Sequence, residues 1–343
     1  MAEALLRLMR ILVPVVLALI VGGLILLAFG KDPLAYYGYV VKRGLLSGTG
    51  LQSSITRMAP LLLIAAGLIV AFRAGLWNLG VDGQFLLAAV CVAALAPPLA
   101  RYLPSALVFL ACFLVAVLVS ASWSFIPAYL KARHGINEII SSLMMSFLGV
   151  SLANVLVKIP FSDPSTTVPQ TETLAVADRF SRLGDTTIHW GVLLAVAAVI
   201  AVHYVMERTS LGLRLQIVGS NPRAAKHAGL NLELLTIVAF AVSAGLAGLG
   251  GAVEVLGVRG TIQADWNPAY GILVIPLVFL ARYNGYGVIG FVFFFAVLMI
   301  GGESAARRLA VPHYFVLVLV ALLMLFLALT EFLDQNWRRR KAG

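Results

Sequence analysis

Charge is scarce in this chain of 343 residues: Asp, Glu, Lys and Arg make up only 12% of it, against 61% hydrophobic residues. A soluble domain carries roughly 25% charged residues, so too few polar groups are present to cover a water-facing surface. Cysteine is scarcer still. Cys91 and Cys112 both lie inside apolar runs, which excludes a disulfide framework and leaves them as packing residues. Catalytic signatures are missing as well. The only Gly-Lys pair, Gly30-Lys31, is followed by Asp32 and forms no phosphate loop. Neither a His-Glu-x-x-His zinc helix nor a Gly-x-Ser-x-Gly elbow occurs. His203, His227 and His313 are scattered at the ends of apolar runs or loop helices, so no cofactor, no metal site and no enzymatic centre is signalled.

What the chain has in abundance is apolar length. A helix needs about 20 apolar residues to cross the hydrocarbon layer of a membrane. Stretches of that kind recur at 11–29, 58–72, 84–100, 106–126, 139–159, 190–206, 235–257, 270–283, 286–301 and 311–332. Strict alternation of polar and apolar residues, which a membrane barrel requires, is absent. The expected fold is therefore all-α: a polytopic transmembrane helix bundle with about ten spans. The stretches 58–72, 270–283 and 286–301 are short and bordered by glycine, which predicts broken helices around a transport path. The run 11–29 follows a basic start and is too long for a signal-peptide core, so it reads as a retained first helix.

The formal charge of +10 raises nucleic acid as a partner, but its distribution argues against one. Basic residues sit in short segments between apolar runs and in the tail Trp337-Arg338-Arg339-Arg340-Lys341, the pattern of cytoplasmic loops. This predicts both termini in the cytoplasm, 160–189 as an outer loop and 207–233 as an inner one. No polar segment is long enough to fold separately, so the whole of 1–343 reads as one domain.

Several segments carry more specific information. In the 207–233 loop, Asn221 suits an N-cap, Pro222 the first helical position and Gly229 the position just past the end. A short capped helix rich in alanine suits a rigid knob fitting a groove, and equally an ordinary loop helix on the membrane surface. In 73–84, Gly75, Gly80 and Gly83 permit an unwound backbone, with Asn78 and Gln84 as neutral donors and acceptors. Solute contact and a plain cytoplasmic turn are both open there. Asn137, Ser141, Ser142 and Ser146 fall along one side of the span at 139–159, with Asn154 further on, and suit a solute path or helix-to-helix hydrogen bonds. Ala244, Gly248 and Ala252 predict close helix packing. Glu254 has Arg259 five residues on as an ion-pair partner, and Glu138 suits the first turn of a helix.

Four stretches resemble one known family. Ala224-Ala225 followed by Gly229 resembles the cytoplasmic coupling motif of ABC-importer permeases, with Arg223 where a glutamate is usual. The run Gly219-Ser220-Asn221-Pro222-Arg223-Ala224-Ala225 is similar to permeases for ribose-like sugars and nucleosides. Arg73-Ala74-Gly75-Leu76-Trp77-Asn78-Leu79-Gly80-Val81-Asp82-Gly83-Gln84 resembles that group's motif between its second and third spans. Gly135-Ile136-Asn137-Glu138-Ile139-Ile140-Ser141-Ser142-Leu143-Met144-Met145 resembles the start of its fifth span. Trp266-Asn267-Pro268-Ala269-Tyr270-Gly271, with Leu280-Ala281-Arg282-Tyr283-Asn284-Gly285, resembles its eighth-span region. The likeness covers about residues 55–330 and is nearest the nucleoside-type branch.

The resemblance implies a permease subunit in the bacterial inner membrane. Its partners would be two ATP-binding cassette subunits, a second permease subunit in a heterodimer and an extracytoplasmic solute-binding protein. ATP hydrolysis would then come from a separate subunit. Coupling to the ATPase would fall to Asn221, Pro222, Arg223, Ala224, Ala225 and Gly229, and the solute path to Asn78, Gln84, Asn137, Ser141 and Ser142. Neutral amides and hydroxyls suit a neutral polar solute, a nucleoside first and a simple sugar such as ribose second. A secondary transporter or channel shares the hydropathy but has no need of the 219–229 motif, and an intramembrane enzyme lacks a catalytic pair.

Overall fold

Caps written into the sequence set many of the helix boundaries in the computed structural model of the protein. It describes residues 2–312 and 314–342, with side chains for 12–312, 314–330, 332 and 333. The helices are α1 (Ala2–Ala28), α2 (Pro33–Val41, continued by a π turn, Lys42–Leu46), α3 (Gly48–Arg73), α4 (Val81–Ala100), α5 (Ser105–His134), α6 (Glu138–Lys158) and α7 (Gly191–Arg208). They continue with α8 (Ser210–Ser220), α9 (Pro222–His227), α10 (Leu232–Glu254, continued by a π turn, Val255–Arg259), α11 (Tyr270–Leu280), α12 (Gly285–Leu309) and α13 (Phe315–Ala342). Asp32, Ser47, Asn137, Thr209, Asn221, Asn231 and Asn284 each accept a backbone N–H at the start of a helix. Each side chain thus satisfies an amide that the helix leaves free. His313 and the side chains of 337–341 lie outside what the structure describes.

Among the described residues there is no strand, only two isolated bridges, Gln170 with Gln263 and Arg182 with His189. Seven helices are long and apolar enough to cross a membrane: α3, α4, α5, α6, α7, α10 with its π turn, and α12. Three shorter apolar stretches, Leu12–Ala28, Tyr270–Leu280 and Phe315–Thr330, fall where three further spans are expected. Two expectations about broken spans are corrected. The runs 58–72 and 286–301 are parts of long helices, because Ser47 and Asn284 cap them upstream and polar turns at 48–57 and 302–309 stay helical. Only 270–280 is short. The element at 33–46 had no counterpart in the hydropathy pattern, since Asp32 and Pro33 start it within a short polar break.

The core centres on α3. Its apolar stretch is 83% buried, whereas those of α5 and α6 are 22% and 28% buried and turn apolar faces outward. Small residues on α10 allow the close approach that the sequence predicts. A methyl group on Gly248 would overlap the Ser120 hydroxyl and the Ala116 carbonyl of α5, and one on Gly250 would sit 3.1 Å from the Pro60 carbonyl of α3. Dispersion between such closely packed backbones holds helices together where lipid offers no hydrophobic gain. The 160–189 segment is folded down onto 256–264: Thr171 N–H reaches the Ile262 carbonyl at 3.0 Å, Leu174 N–H that of Gly260 at 2.8 Å, and Phe180 N–H that of Leu256 at 2.9 Å. Because α7 runs between them, 160–189 and 207–233 lie at opposite ends of the bundle.

Candidate functional site

At the 207–233 end, α9 forms as its caps dictate. Asn221 Oδ1 accepts the Ala224 N–H at 3.0 Å. Beyond the helix, Gly229 N–H bonds the Lys226 carbonyl (3.0 Å) and Leu230 N–H the Ala225 carbonyl (3.1 Å). Gly229 sits at φ +77°, a conformation that costs a residue with a Cβ roughly 1–2 kcal/mol. The helix presents Pro222, Arg223, Ala224, Lys226 and His227 to the surroundings and turns Ala225 inward, fully buried. Of the two adjacent alanines, Ala225 therefore anchors the helix and Ala224 belongs to its exposed face.

The helix before it, α8, links that knob to the 73–84 segment. The chain turns at Gly75 (φ +70°) against Gly219, the penultimate residue of α8. A methyl on Gly219 would overlap the Arg73 carbonyl oxygen and lie 2.7 Å from the Gly75 nitrogen. The Arg73 guanidinium ties the same end together, reaching Glu207 of α7 at 2.5 Å and the Tyr283 carbonyl at 3.1 Å.

From Gly75 the chain doubles back into the bundle without regular structure as far as Gly80. Its depth is set by Ser243 of α10, whose hydroxyl accepts from Asn78 at 3.1 Å and whose backbone lies against Gly67. Gly67 stands six residues, or ~9 Å, inside the end of α3. An unwound backbone at that depth needs internal partners, and it has them. Asn78 and Gln84 pair through both amides (3.0 and 3.1 Å), Asn78 Oδ1 also accepts the Gly80 N–H (3.1 Å), and Ser142 Oγ accepts the Leu79 N–H (3.1 Å). Ser146 Oγ accepts the Gly83 N–H at 3.2 Å, and Ser120 Oγ donates to the Gln84 carbonyl at 3.0 Å. Asp82, in the first turn of α4, accepts the Gly271 N–H at 2.6 Å and so caps α11.

Asn78, Gln84 and Ser142 are thus brought together, fully buried and committed to one another and to the backbone. Asn137 lies apart from them, exposed, capping α6 at 2.9 Å, and Ser141 is half-buried against the Asn137 carbonyl at 3.2 Å. Asn154 accepts the Asp265 N–H at 2.7 Å near the opposite end. Glu138 pairs with Lys131 at 2.8 Å, and His203 Nδ1 accepts the Gly285 N–H at 3.4 Å.

A second feature escaped the sequence reading. At the 160–189 end an open cleft of ≈ 370 Å³ is lined by Arg57, Arg259, Trp266, Tyr270, Met299 and Glu303 among others. Arg57 Nη1 donates to Tyr270 Oη at 2.5 Å. Arg259 pairs with the buried Glu254 at 3.3 Å and lies over the Trp266 ring, 3.9 Å from its centre. Arg57 also feels the charges of Glu254 and Glu303. Arg57 and Glu303 fall just outside the expected spans 58–72 and 286–301. The only available signal was that both lie within a helical turn or so of a span, close enough for an extended helix to carry them inward.

A bundle of membrane-length apolar helices, with a capped helical knob at one end and a charged cleft at the other, is the architecture of a multi-pass membrane permease. The chain belongs to the family described as branched-chain amino acid transport system / permease component, which it matches over residues 50–327. It is similar to the glucose ABC transporter permease of Haloferax volcanii, 35% identical over 93% of this chain and 86% of that one. It is 26% identical to the nucleoside ABC transporter permease of Lactococcus lactis, over 97% of this chain and 94% of the relative. The guanosine ABC transporter permease of Bacillus subtilis is 28% identical over 94% of both chains. A second guanosine permease of B. subtilis and a second nucleoside permease of L. lactis match as well.

Proposed function

We propose that this chain is the membrane-spanning permease subunit of an ATP-driven bacterial importer for a small neutral solute with a sugar ring, a nucleoside or a simple sugar. The observation that carries the reading is α9. A nine-residue segment, 221–229, is capped at both ends, exposed on one face and joined through Gly219 to the unwound segment of the bundle. A loop helix lying on a membrane has no need of that connection, whereas a helix pushed by a nucleotide-driven partner needs a rigid link into the bundle. The relatives named for nucleosides, guanosine and glucose support the solute class, and the 35% identity to the glucose permease keeps the sugar reading beside the nucleoside one.

In this reading, α9 with Asn221, Pro222, Arg223, Ala224, Ala225 and Gly229 couples to one of two separate ATPase subunits. The chain acts as a single permease domain in the inner membrane, with about ten spans and both termini cytoplasmic once the three shorter apolar helices are counted. A second, different permease completes the pair, as the matched pairs of relatives in two organisms suggest, and an extracytoplasmic binding protein delivers the solute. Asn137 and Ser141 would border the solute path, and Asn78, Gln84 and Ser142 would hold the unwound segment beside it.

The test is import by the assembled system with its own binding protein. Radiolabelled guanosine or glucose is expected to enter, and Ala224→Glu, which places a charge on the exposed face of α9, should abolish import while assembled bundle still reaches the membrane. Import of a charged amino acid with no competition from either solute would overturn the solute class. Unchanged import by Ala224→Glu would return α9 to an ordinary loop helix.

A further inference from the structure

We propose that the cleft walled by Arg57, Arg259, Trp266, Met299 and Glu303 above Tyr270 is a solute site that holds a neutral, hydroxyl-bearing sugar ring on its way into the bundle. The assignment rests on the reading of the chain as a permease for such solutes and names the residues that recognise them.

Arg57 is the tenth residue of α3, and Glu303 stands six residues before the end of α12. Ionisable groups within membrane helices are costly and persist where they pair or line a water-filled space. Here three of them, Arg57 of α3, Arg259 of the π turn after α10 and Glu303 of α12, line one space, with Glu254 buried behind Arg259. The cleft volume of ≈ 370 Å³ falls in the range of about 300–1,000 Å³ typical of small-molecule sites, enough for a sugar or nucleoside.

Charge and bonding capacity then select the class of ligand. Arg57, Arg259 and Glu303 line the space and the buried Glu254 offsets Arg259 from behind, so these four groups carry no net charge and favour neither a cation nor an anion. Many donors and acceptors nonetheless remain free. Each guanidinium carries five N–H groups, of which Arg57 uses one on Tyr270 and Arg259 one on Glu254. Glu303 feels the charge of Arg57 and accepts no hydrogen bond from a described residue. Asn267, at the rim, uses its carbonyl oxygen on the Ala269 N–H at 2.9 Å, which leaves its amide N–H2 to donate outward. A hydroxyl both donates and accepts, so adjacent hydroxyls on a ring match a wall that sets arginine donors beside the Glu303 carboxylate. Such charge-assisted bonds are about twice as strong as neutral ones. Trp266 adds a flat apolar surface, held in place by Arg259 on its ring and by Phe85 at 6.1 Å, against which the C–H face of a sugar or the base of a nucleoside can lie.

Occupancy is tested by cysteine protection in the full, assembled transporter. Met299→Cys, and separately Asn267→Cys, are placed in a background in which Cys91 and Cys112 are replaced, and the solubilised complex is reacted with a small methanethiosulfonate reagent. Without solute both cysteines should react. Guanosine or glucose, whichever the wild-type system imports, should slow the reaction about tenfold at about ten times its dissociation constant, as simple competition requires. Glutamate should not slow it. Adding Glu303→Gln should reduce the protection to less than twofold, while the cysteines still react at the unprotected rate, which shows that the cleft is still formed. If the imported solute leaves both rates unchanged, if glutamate protects equally, or if the cysteines are unreactive in the empty complex, the assignment of the cleft is overturned and the reading of the chain as an importer permease stands. A wild-type system that imports neither solute overturns that reading, and the assignment with it.

Discussion

The two ends of this bundle use their polar groups in opposite ways. At the 207–233 end, the amides and hydroxyls of Asn78, Gln84, Ser142, Ser146 and Ser243 are buried and bonded to one another or to an unwound backbone. At the 160–189 end, Arg57, Arg259 and Glu303 line open space and keep much of their bonding capacity free. The difference follows from the energetics of burial. An unwound segment inside a membrane bundle must satisfy each N–H and C=O internally, and short neutral side chains do that without the desolvation cost of a charge. Charged side chains are tolerated only where water or a partner reaches them. Neutral residues therefore hold the unwound segment, with Asp82 and Arg73 tied to neighbouring elements, and at the opposite end Arg57, Arg259 and Glu303 are left to meet something from outside.

The comparison can be broken most severely at its tightest contact. Gly219→Val would drive a branched side chain into the Arg73 carbonyl and the Gly75 backbone, groups that cannot rotate away. Overpacking of this kind costs about 1–3 kcal/mol where side chains yield, and more where backbone must move. We expect a melting temperature well below wild type in detergent and no import. A variant with normal melting and normal import would show that α8 and the 73–84 segment move independently. Next comes Asn78→Leu, which leaves the Gln84 amide, the Ser243 hydroxyl and the Gly80 N–H short of partners. At about 1–3 kcal/mol per unsatisfied buried group, a total loss of roughly 3 kcal/mol is expected. Ser141→Ala is the control, because Ser141 bonds only carbonyls of its own helix turn and should leave the melting curve within ~0.5 kcal/mol of wild type. Equal melting curves for the two variants would erase the distinction between the neutral residues that hold the backbone and those that do not.

At neutral pH the smallest effect belongs to the opposite end, because it appears only in acid. His189 is buried beside Phe180 and Gly257, accepts the Gly191 N–H on Nδ1 at 3.1 Å, and has no hydrogen-bond partner for Nε2 among the described residues. Burial pushes its pKa down from 6.5 to about 4. Between those values the unfolded chain binds a proton that the folded chain does not, so stability is present above pH 6.5 and falls as the pH drops toward 4. The total loss is at most about 3 kcal/mol and levels off below that pH. Melting of wild type and His189→Gln across pH 4–7 measures it. A slope identical in the two proteins would place the acid sensitivity elsewhere.

Much of this was legible in the sequence, and for local reasons. Apolar runs marked the helices because a hydrocarbon environment admits little else over that length. Asn221, Pro222 and Gly229 foretold α9 because a cap is a contact between residues three or four apart. Glu254 with Arg259, and the small residues of α10, were legible for the same reason: helical spacing puts them on one side. The charge content pointed to a membrane protein, and the family motifs to a permease.

Other features depend on residues far apart in the chain. Asn78 meets Ser243, Gly75 meets Gly219, and Arg57 meets Tyr270, and no local pattern encodes those meetings. Whether Asn78 lines a path or holds a backbone was open in the sequence because both uses call for the same amide. Arg57 and Glu303 fell outside the expected spans because hydropathy ends a span at the first charge, whereas the helices run on and carry both residues to a common space. The residues by themselves determined where helices begin, where they end and which solvent they suit. Only the tertiary structure decided which polar groups are used up inside and which remain free, because a hydrogen bond at depth is settled by the neighbour that packing supplies.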